Sequence, residues 1–193
     1  MTPPYLIAQY MVGMAWAGLG TVYLIGIPAT NRTAQRQGSA SRMVQLGLTL
    51  LAYFFLFAPP WYGGILAWTP VPQSRAAVCT GVLLTLAGCL LAIWARIALG
   101  RNWSLNVTVK REHTLITRGP YALVRHPIYS GLILAALGTA IVHDHVQGFV
   151  GLAVIFSAFW LKYHTEEGFM EREFGDQYAQ YRRRVKALIP GVL

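Results

Sequence analysis

The chain has 193 residues, of which 55% are hydrophobic and 12% are charged, and its formal net charge is +9. Soluble domains carry about 25% charged residues, so this composition excludes an ordinary soluble protein and indicates an integral membrane protein. The basic residues flank apolar runs, as in the cytoplasmic loops of membrane proteins, and nucleic acid binding is therefore not expected.

Three apolar runs occupy residues 1–99. They are Pro4–Ile27, Met43–Ala58 and Ala76–Ala95. A helix that crosses a bilayer needs about 20 apolar residues, so each run predicts a membrane span. The polar segment Asn31–Arg42 contains arginines and no acidic residue, which predicts that it faces the cytoplasm.

Residues 100–193 contain two further apolar runs between polar segments. These runs, Ile128–Val142 and Val146–Leu161, have 15 and 16 residues, which is short for a hydrocarbon core of about 30 Å. We predict one all-α membrane domain, residues 1–193, built as a bundle of five transmembrane helices. Residues 1–99 form three of them, and residues 100–193 form a catalytic half with the fourth and fifth helices and a cytoplasmic tail. The amino end is expected outside the membrane and the carboxyl end in the cytoplasm.

The segment Glu112–Gly131 is unusually rich in polar side chains for a stretch between apolar runs. It contains two each of His, Arg, Pro, Gly and Tyr. Such groups are costly to place beside apolar helices unless they find partners. An ordinary cytoplasmic loop is also polar and rich in Gly and Pro. A second polar segment on the same side of the membrane would favour a binding site over a loop.

The charged tail after Leu161 is that second segment. Glu167 and Glu171 are four residues apart, a like-charge pair that destabilises a helix unless a cation or a ligand lies between them. The tail is predicted to form an amphipathic helix on the membrane or on the other cytoplasmic segment. Arg182–Lys186 is predicted to bind anionic lipid.

A short polar turn separates the last two apolar runs. His143, Asp144 and His145 have the residue types of a metal site, but no further ligand is near in sequence, so a plain turn is the favoured interpretation and no metal is expected. The chain also lacks the H-E-x-x-H, G-x-S-x-G and G-x-G-x-x-G motifs, which excludes zincin, hydrolase and Rossmann sites of those types.

The motifs in residues 106–193 form a specific combination. They are Gly119-Pro120-Tyr121, Arg125-His126-Pro127-Ile128-Tyr129-Ser130-Gly131, Glu166-Glu167, Phe174-Gly175, Tyr178, Tyr181 and Ile189-Pro190-Gly191. Together they resemble the isoprenylcysteine carboxyl methyltransferase family. Phospholipid methyltransferases and some sterol reductases share part of this pattern.

The resemblance implies a membrane enzyme that binds S-adenosylmethionine on the cytoplasmic side and releases S-adenosylhomocysteine. The methyl acceptor would be the carboxylate of a prenylated cysteine or of another isoprenoid or lipid acid, entering from the membrane. The cofactor-binding residues implied, with an apolar wall included, are His113, Leu115, Ile116, Tyr121, His126, Pro127, Tyr129 and Glu166.

Arg125 and Glu167 are the predicted catalytic residues. The planar guanidinium of Arg125 can bind the acceptor carboxylate through two parallel hydrogen bonds. Glu167 would hold Arg125 or the substrate in place. The alternative for Arg125 is a cation at the membrane interface whose aliphatic stem packs in lipid.

Two other functions stay open at this point. A phospholipid amine N-methyltransferase would use the same cofactor but would need a base, for which Glu166, Glu167 or a histidine is available. A non-catalytic membrane protein with a cytoplasmic docking motif would bind no cofactor.

Overall fold

The computed structural model describes residues 3–26, 33–36, 39–59, 63–100, 108–110 and 115–192. Its helices are α1 (Pro3–Gly26), α2 (Ser39–Phe57), α3 (Arg75–Leu99), α4 (Pro127–His143), α5 (Val146–Phe174) and α6 (Asp176–Arg184). Two short strands, β1 (Thr33–Arg36) and β2 (Thr108–Lys110), pair antiparallel. The predicted helical bundle is present, together with one strand pair that the hydropathy pattern did not predict.

Three of these helices are long and apolar enough to cross a membrane. They are α2, over Ala40–Phe57, α3 and α5. The helix α4 is a shorter apolar helix of 17 residues, and the uncharged α1 has 24 residues. Each of the five predicted spans begins near the start of a helix, and the first four also end near a helix end, but only three of the described helices meet this criterion of length and composition.

The fifth helix is much longer than predicted. The apolar run ends at Leu161, but α5 continues through the charged residues to Phe174 and has 29 residues. The fifth span and the first part of the predicted tail helix form one continuous helix, which ends before Gly175, whose φ of 47° is unfavourable for residues with a side chain. The short α6 begins after this break.

The closest packing in the bundle is between α3 and α4. A Cβ atom at Gly138 would lie 2.5 Å from the backbone nitrogen of Thr85, and one at Gly131 would lie 2.6 Å from the carbonyl oxygen of Gly88. Only glycine permits this approach, which small residues commonly provide between membrane helices. The two helices are therefore held at a fixed distance.

The buried guanidinium of Arg96 connects the carboxyl ends of α1 and α3. Arg96, at the end of α3, is 5% exposed. Its Nη2 donates to the carbonyl oxygen of Gly26 at 2.6 Å, and its Nη1 donates to that of Gly100 at 2.9 Å. The carboxyl ends of α1 and α3 carry partial negative charge, so this cation stabilises both.

The opposite end of the bundle is closed by the turn between α4 and α5. Asp144 has a left-handed backbone with φ of 54°, and its Oδ1 accepts a hydrogen bond from the backbone nitrogen of Val71 at 2.9 Å. The backbone nitrogen of Val146 donates to Trp68 O at 3.0 Å. The turn and the loop before α3 thus share one end, while Arg125 and Glu167 lie at the other.

Candidate active site

The polar segment before α4 runs alongside the last described residues of the chain. The backbone nitrogens of Arg125 and His126 donate to the carbonyl oxygens of Lys186 and Ala187, at 2.8 and 3.0 Å. The hydroxyl of Ser130 donates to Leu188 O at 2.6 Å. These bonds join residues about 60 positions apart in sequence, so the carboxyl-terminal segment fixes the backbone of the motif.

Arg125 and Glu167 form a buried ion pair. The Nε and Nη2 atoms of Arg125 lie 2.8 and 2.5 Å from Glu167 Oε1. The two side chains are 7% and 6% exposed. The Nη1 atom of Arg125 donates to the carbonyl oxygens of Val185 and Arg182. The structure therefore brings together the two predicted catalytic residues and surrounds the guanidinium with acceptors.

A second arginine occupies the other side of Glu167. The Nε atom of Arg182 lies 3.5 Å from Glu167 Oε2, and its Nη1 is paired with Glu171. This is the cation expected between the two like charges on α5. Arg182 belongs to the segment Arg182–Lys186 that is predicted to bind anionic lipid, but its described partners are these two carboxylates.

The imidazole of His126 lies between the paired glutamates. Its Nε2 is 3.3 Å from Glu167 Oε1, and its Nδ1 is 3.5 Å from Glu166 Oε2. The ring stacks on Tyr129 with a centroid distance of 5.6 Å and contacts Tyr163 at 5.2 Å. Both ring nitrogens thus face carboxylates.

Tyr129 carries the cluster into the bundle. Its hydroxyl donates to Glu166 Oε1 at 2.5 Å, and its ring stacks on Phe159 with centroids 4.8 Å apart. The Nζ of Lys162 lies 5.5 Å from the centroid of the Tyr129 ring, within the range of a cation–π contact. The Glu166 side chain is 21% exposed, against 6% for Glu167, and is the more accessible of the two.

The remaining predicted residues occupy different positions around this cluster. Tyr121 is buried, its hydroxyl lies 3.4 Å from Ala95 O, and its own carbonyl accepts from the Tyr181 hydroxyl at 2.5 Å. Pro127 is fully buried at the start of α4. Leu115 and Ile116 are half-buried at the start of the described segment. His113 lies outside the described residues.

Several residues of the cluster were not predicted. Arg182, Lys162, Tyr163 and Phe159 all contact it. The sequence holds a signal for two of them: Lys162 precedes Glu166 by one helical turn, and the Glu167/Glu171 pair indicates a nearby cation or ligand. The aromatic contacts had no such signal, because apolar residues in a span pack in many ways.

His143 and His145 lie at the turn between α4 and α5, at the other end of the bundle from this cluster. Asp144 is held by Val71, and in the described part of the chain no three of His, Cys, Asp and Glu are grouped so that they could hold a metal ion.

The pKa of His126 is raised, and this shift predicts that the stability of the protein depends on pH. Burial alone lowers the pKa of the imidazole, but the hydrogen bonds to Glu166 and Glu167 raise it above its ordinary value of about 6.5. A raised native pKa gives stability that is complete below the unfolded pKa and is lost as pH rises through the native one. We therefore expect the free energy of unfolding in detergent to fall as pH rises from the pKa of His126 in the unfolded chain to its higher pKa in the native protein. The decrease is up to about 1.4 kcal/mol per pH unit.

The matched variants are His126→Gln and His164→Gln, and unfolding is followed by tryptophan fluorescence from pH 6 to 9. His164 is exposed on α5, so its variant should keep the wild-type slope. His126→Gln should flatten it. A wild-type slope in His126→Gln would contradict the assignment of this titration to His126.

Comparison with known proteins places the cluster in a family. Residues 76–177 match the phospholipid methyltransferase family model. Over 58% of its length the chain is 31% identical to protein-S-isoprenylcysteine O-methyltransferase B of Arabidopsis thaliana, covering 58% of that protein. The corresponding Schizosaccharomyces pombe enzyme is 38% identical over 50% of the chain and 42% of the enzyme. The Mus musculus enzyme is 29% identical over 64% of the chain and 44% of the enzyme.

These alignments cover less than two thirds of each relative. The family match nevertheless extends over more than half of this chain and contains α3, α4, α5, Arg125, His126 and the paired glutamates. The chain therefore belongs to the phospholipid methyltransferase family and is related to the isoprenylcysteine carboxyl methyltransferases, as its motifs predict.

Proposed function

We propose that the chain is an integral membrane methyltransferase that transfers a methyl group from S-adenosylmethionine to the carboxylate of a prenylated cysteine or another isoprenoid acid. Its relatives in plants, fission yeast and mouse carry the name of this activity. Its apolar helices suit a substrate whose tail gains about 0.8 kcal/mol per CH₂ group by staying in lipid.

The proposal of a carboxylate acceptor rests on one observation, which is that Glu166 and Glu167 are both already engaged by other side chains. Glu167 is shared by Arg125, His126 and Arg182, and Glu166 accepts from Tyr129 and faces His126. A carboxylate engaged in this way is a poor base. An amine must lose a proton before or during methyl transfer, whereas a carboxylic acid with a pKa near 4 is already ionised at pH 7. The cluster therefore favours a carboxylate acceptor.

The donor set fits the proposed cofactor. S-adenosylmethionine carries an ammonium, a carboxylate, a ribose diol and an adenine, and when bound it supplies an electrophilic methyl group on a sulfonium. Glu166 is the partly exposed carboxylate available to a cation or a diol, and the buried rings of His126 and Tyr129 hold its side chain in place. Leu115 and Ile116 would add the apolar wall, and Tyr121 and Pro127 belong to the same proposed set. His113 completes the proposed set.

We propose that the positive charge of Arg125 holds the acceptor carboxylate in position. Glu167 and the carbonyl oxygens of Val185 and Arg182 fix its guanidinium, so the cation is oriented before a substrate arrives. Electrostatic groups that are already in place stabilise a transition state without reorganising. In this proposal Glu167 positions Arg125 and does not itself accept a proton.

We propose that α1 and α4 complete a bundle of five spans, with the amino end outside and the site in the cytoplasm. Arg182, Arg183 and Arg184 lie at the end of the bundle that holds the site. A concentration of basic residues on one side of the membrane supports a cytoplasmic location.

Methyl transfer to a small isoprenoid acid tests the function. The full chain in phosphatidylcholine nanodiscs would be incubated with S-[methyl-³H]adenosylmethionine and N-acetyl-S-farnesylcysteine. We expect tritium in an ester that alkali hydrolyses to volatile methanol, and none with the carboxamide of the same compound. Binding of S-adenosylmethionine, measured separately by equilibrium dialysis, is expected without any acceptor.

The phospholipid alternative is tested in the same assay, because the family model carries its name. Alkali-stable label on phosphatidylethanolamine, with a rate that rises through the pKa of the amine, would replace the carboxylate proposal with this one. Absence of cofactor binding at millimolar concentration would contradict both and favour a docking protein.

A further inference from the structure

The last described residues of the chain return to the level at which the apolar run of α4 begins. This run starts at Ile128, and the hydroxyl of Ser130, one turn into α4, donates to Leu188 O at 2.6 Å. Ala187 and Leu188 are buried in the core of the bundle. Residues 189–192 therefore follow directly from a point at the boundary between the polar segment before α4 and the apolar helix.

Apolar side chains are exposed at this level. Ile189 is 47% exposed and Val192 is 72% exposed, and Leu123, in the neighbouring segment before α4, is 54% exposed. At the boundary of a bilayer such side chains contact acyl chains, as the apolar face of an interfacial helix does. The position of these three residues in a chain with membrane helices therefore indicates contact with lipid.

Three basic side chains accompany these apolar residues. Arg183, Arg184 and Lys186 are exposed, and in the described part of the chain none of them forms an ion pair with a carboxylate. Arg182 does not belong to this set, because it is paired with two carboxylates of α5. The acidic Asp176 lies at the opposite end of α6, about 12 Å away along the helix. A basic cluster of this kind is attracted to the anionic headgroups of a membrane surface.

The same part of the chain holds the backbone of the motif. The backbone nitrogens of Arg125 and His126 donate to the carbonyl oxygens of Lys186 and Ala187, at 2.8 and 3.0 Å. Beyond α6 the described chain forms no further helix that would order this segment by itself. An interaction that fixes residues 183–192 therefore also fixes the segment that carries Arg125 and His126.

We propose that residues 183–192 form an interfacial anchor that docks on an anionic membrane surface and thereby orders the polar segment before α4. The three basic side chains lie among the headgroups, and Ile189 and Val192 contact the acyl chains below them. Each basic residue near such a surface shifts an equilibrium about fivefold. The order of the candidate active site then depends on the charge of the membrane that the chain spans.

Hydrogen exchange tests the anchor. The full chain and its variant Arg183→Gln/Arg184→Gln/Lys186→Gln would be placed in nanodiscs of phosphatidylcholine alone and of phosphatidylcholine with phosphatidylglycerol. Mass spectrometry follows peptides that contain the amides of Arg125 and His126. In the anionic discs we expect these amides to exchange about fivefold faster, or more, in the variant than in the wild-type chain. In phosphatidylcholine alone, the two rates should agree within about twofold.

Two features of this design isolate the anchor. The lower pH at an anionic surface slows exchange in both proteins equally, so a comparison within one kind of disc removes this effect. The matched single variants are Lys186→Gln and Arg172→Gln, each of which removes one exposed positive charge. Arg172 lies on α5, outside the anchor, so only Lys186→Gln should speed exchange in the anionic discs, by up to about fivefold.

The location of the anchor is measured separately, in a chain that keeps all its charges. A nitroxide on Val192→Cys, in a chain that also carries Cys79→Ala and Cys89→Ala, should collide more often with oxygen, which dissolves among acyl chains, than with a polar nickel chelate. The same label on Gln177→Cys, an exposed position on α6 before the anchor, should show the opposite preference.

Equal exchange of the wild-type chain and the triple variant in anionic discs would overturn the proposal, and so would a label on Val192→Cys that prefers the nickel chelate. These two results together would favour an acidic protein partner for the basic residues. Faster exchange of the triple variant in phosphatidylcholine as well would show that the side chains order the segment without anionic lipid, which also contradicts the proposal. Neither measurement uses S-adenosylmethionine, so the outcome is independent of the proposed function.

Discussion

Replacing Glu167 with glutamine is expected to lower the free energy of unfolding by about 3–5 kcal/mol, because it leaves the buried Arg125 guanidinium without its anion. It also removes one of the two carboxylates that His126 and Arg182 each contact. Displacement of Arg125 should reduce methyl transfer by about a hundredfold or more. Unfolding by a mixed-detergent titration and the tritium assay measure the two effects.

A second variant separates the ion pair from general damage. The double variant Arg125→Gln with Glu167→Gln removes the buried charge together with its partner, and we expect it to recover part of the lost stability. It should not recover activity. The control Glu173→Gln changes an exposed carboxylate on the same helix and should stay within about 0.5 kcal/mol of wild type. If Glu167→Gln were as stable as the wild-type protein, the Arg125–Glu167 pair would not hold the polar segment before α4 in place.

Replacing Gly138 with valine is expected to separate α3 from α4. Its Cβ atom would lie 2.5 Å from the backbone nitrogen of Thr85, and neither backbone can move without displacing the whole helix. Overpacking usually costs about 1–3 kcal/mol, and contact with backbone should place this variant at or above the upper value. Because α4 begins with the motif, activity should fall as well. Thermal unfolding and the tritium assay test both effects.

The matched control is Gly47→Val on α2, where an added Cβ meets no atom within 4 Å. It tests the effect of a β-branched residue at an exposed helical glycine, and a change within about 0.5 kcal/mol is expected. If Gly138→Val were as stable as this control, the α3–α4 distance would be adjustable and the glycine contact would not set it.

Part of the candidate site could be predicted because its polar residues are clustered in a sequence that is otherwise largely hydrophobic. Arg125, His126 and Glu167 stand out for that reason, and the predicted topology puts them on the same side of the membrane. Contact between Arg125 and Glu167 is one of the two roles predicted for Glu167, but its geometry and the contact with His126 could not be predicted, since they depend on α5 bringing Glu167 to residues 41 and 42 positions away.

The same contacts explain the error in the length of α5. Hydropathy treats the charged residues after Leu161 as the end of a span. The helix continues to Phe174 while Glu166 and Glu167 find cationic or hydrogen-bonding partners on another segment. The β1–β2 pair was missed for a related reason: two short strands, more than 70 residues apart, leave no local pattern.

The pairing of the motif with residues 186–188 also sets an order of events during synthesis. The motif and α4 leave the ribosome well before these residues, and until then Arg125 and His126 lack the carbonyl partners that hold their backbone. The helices can enter the membrane first, in keeping with folding that proceeds from the amino end during translation. The site is therefore assembled after the membrane helices, and a chain interrupted before Lys186 would have these helices without the carbonyl partners that order the segment before α4.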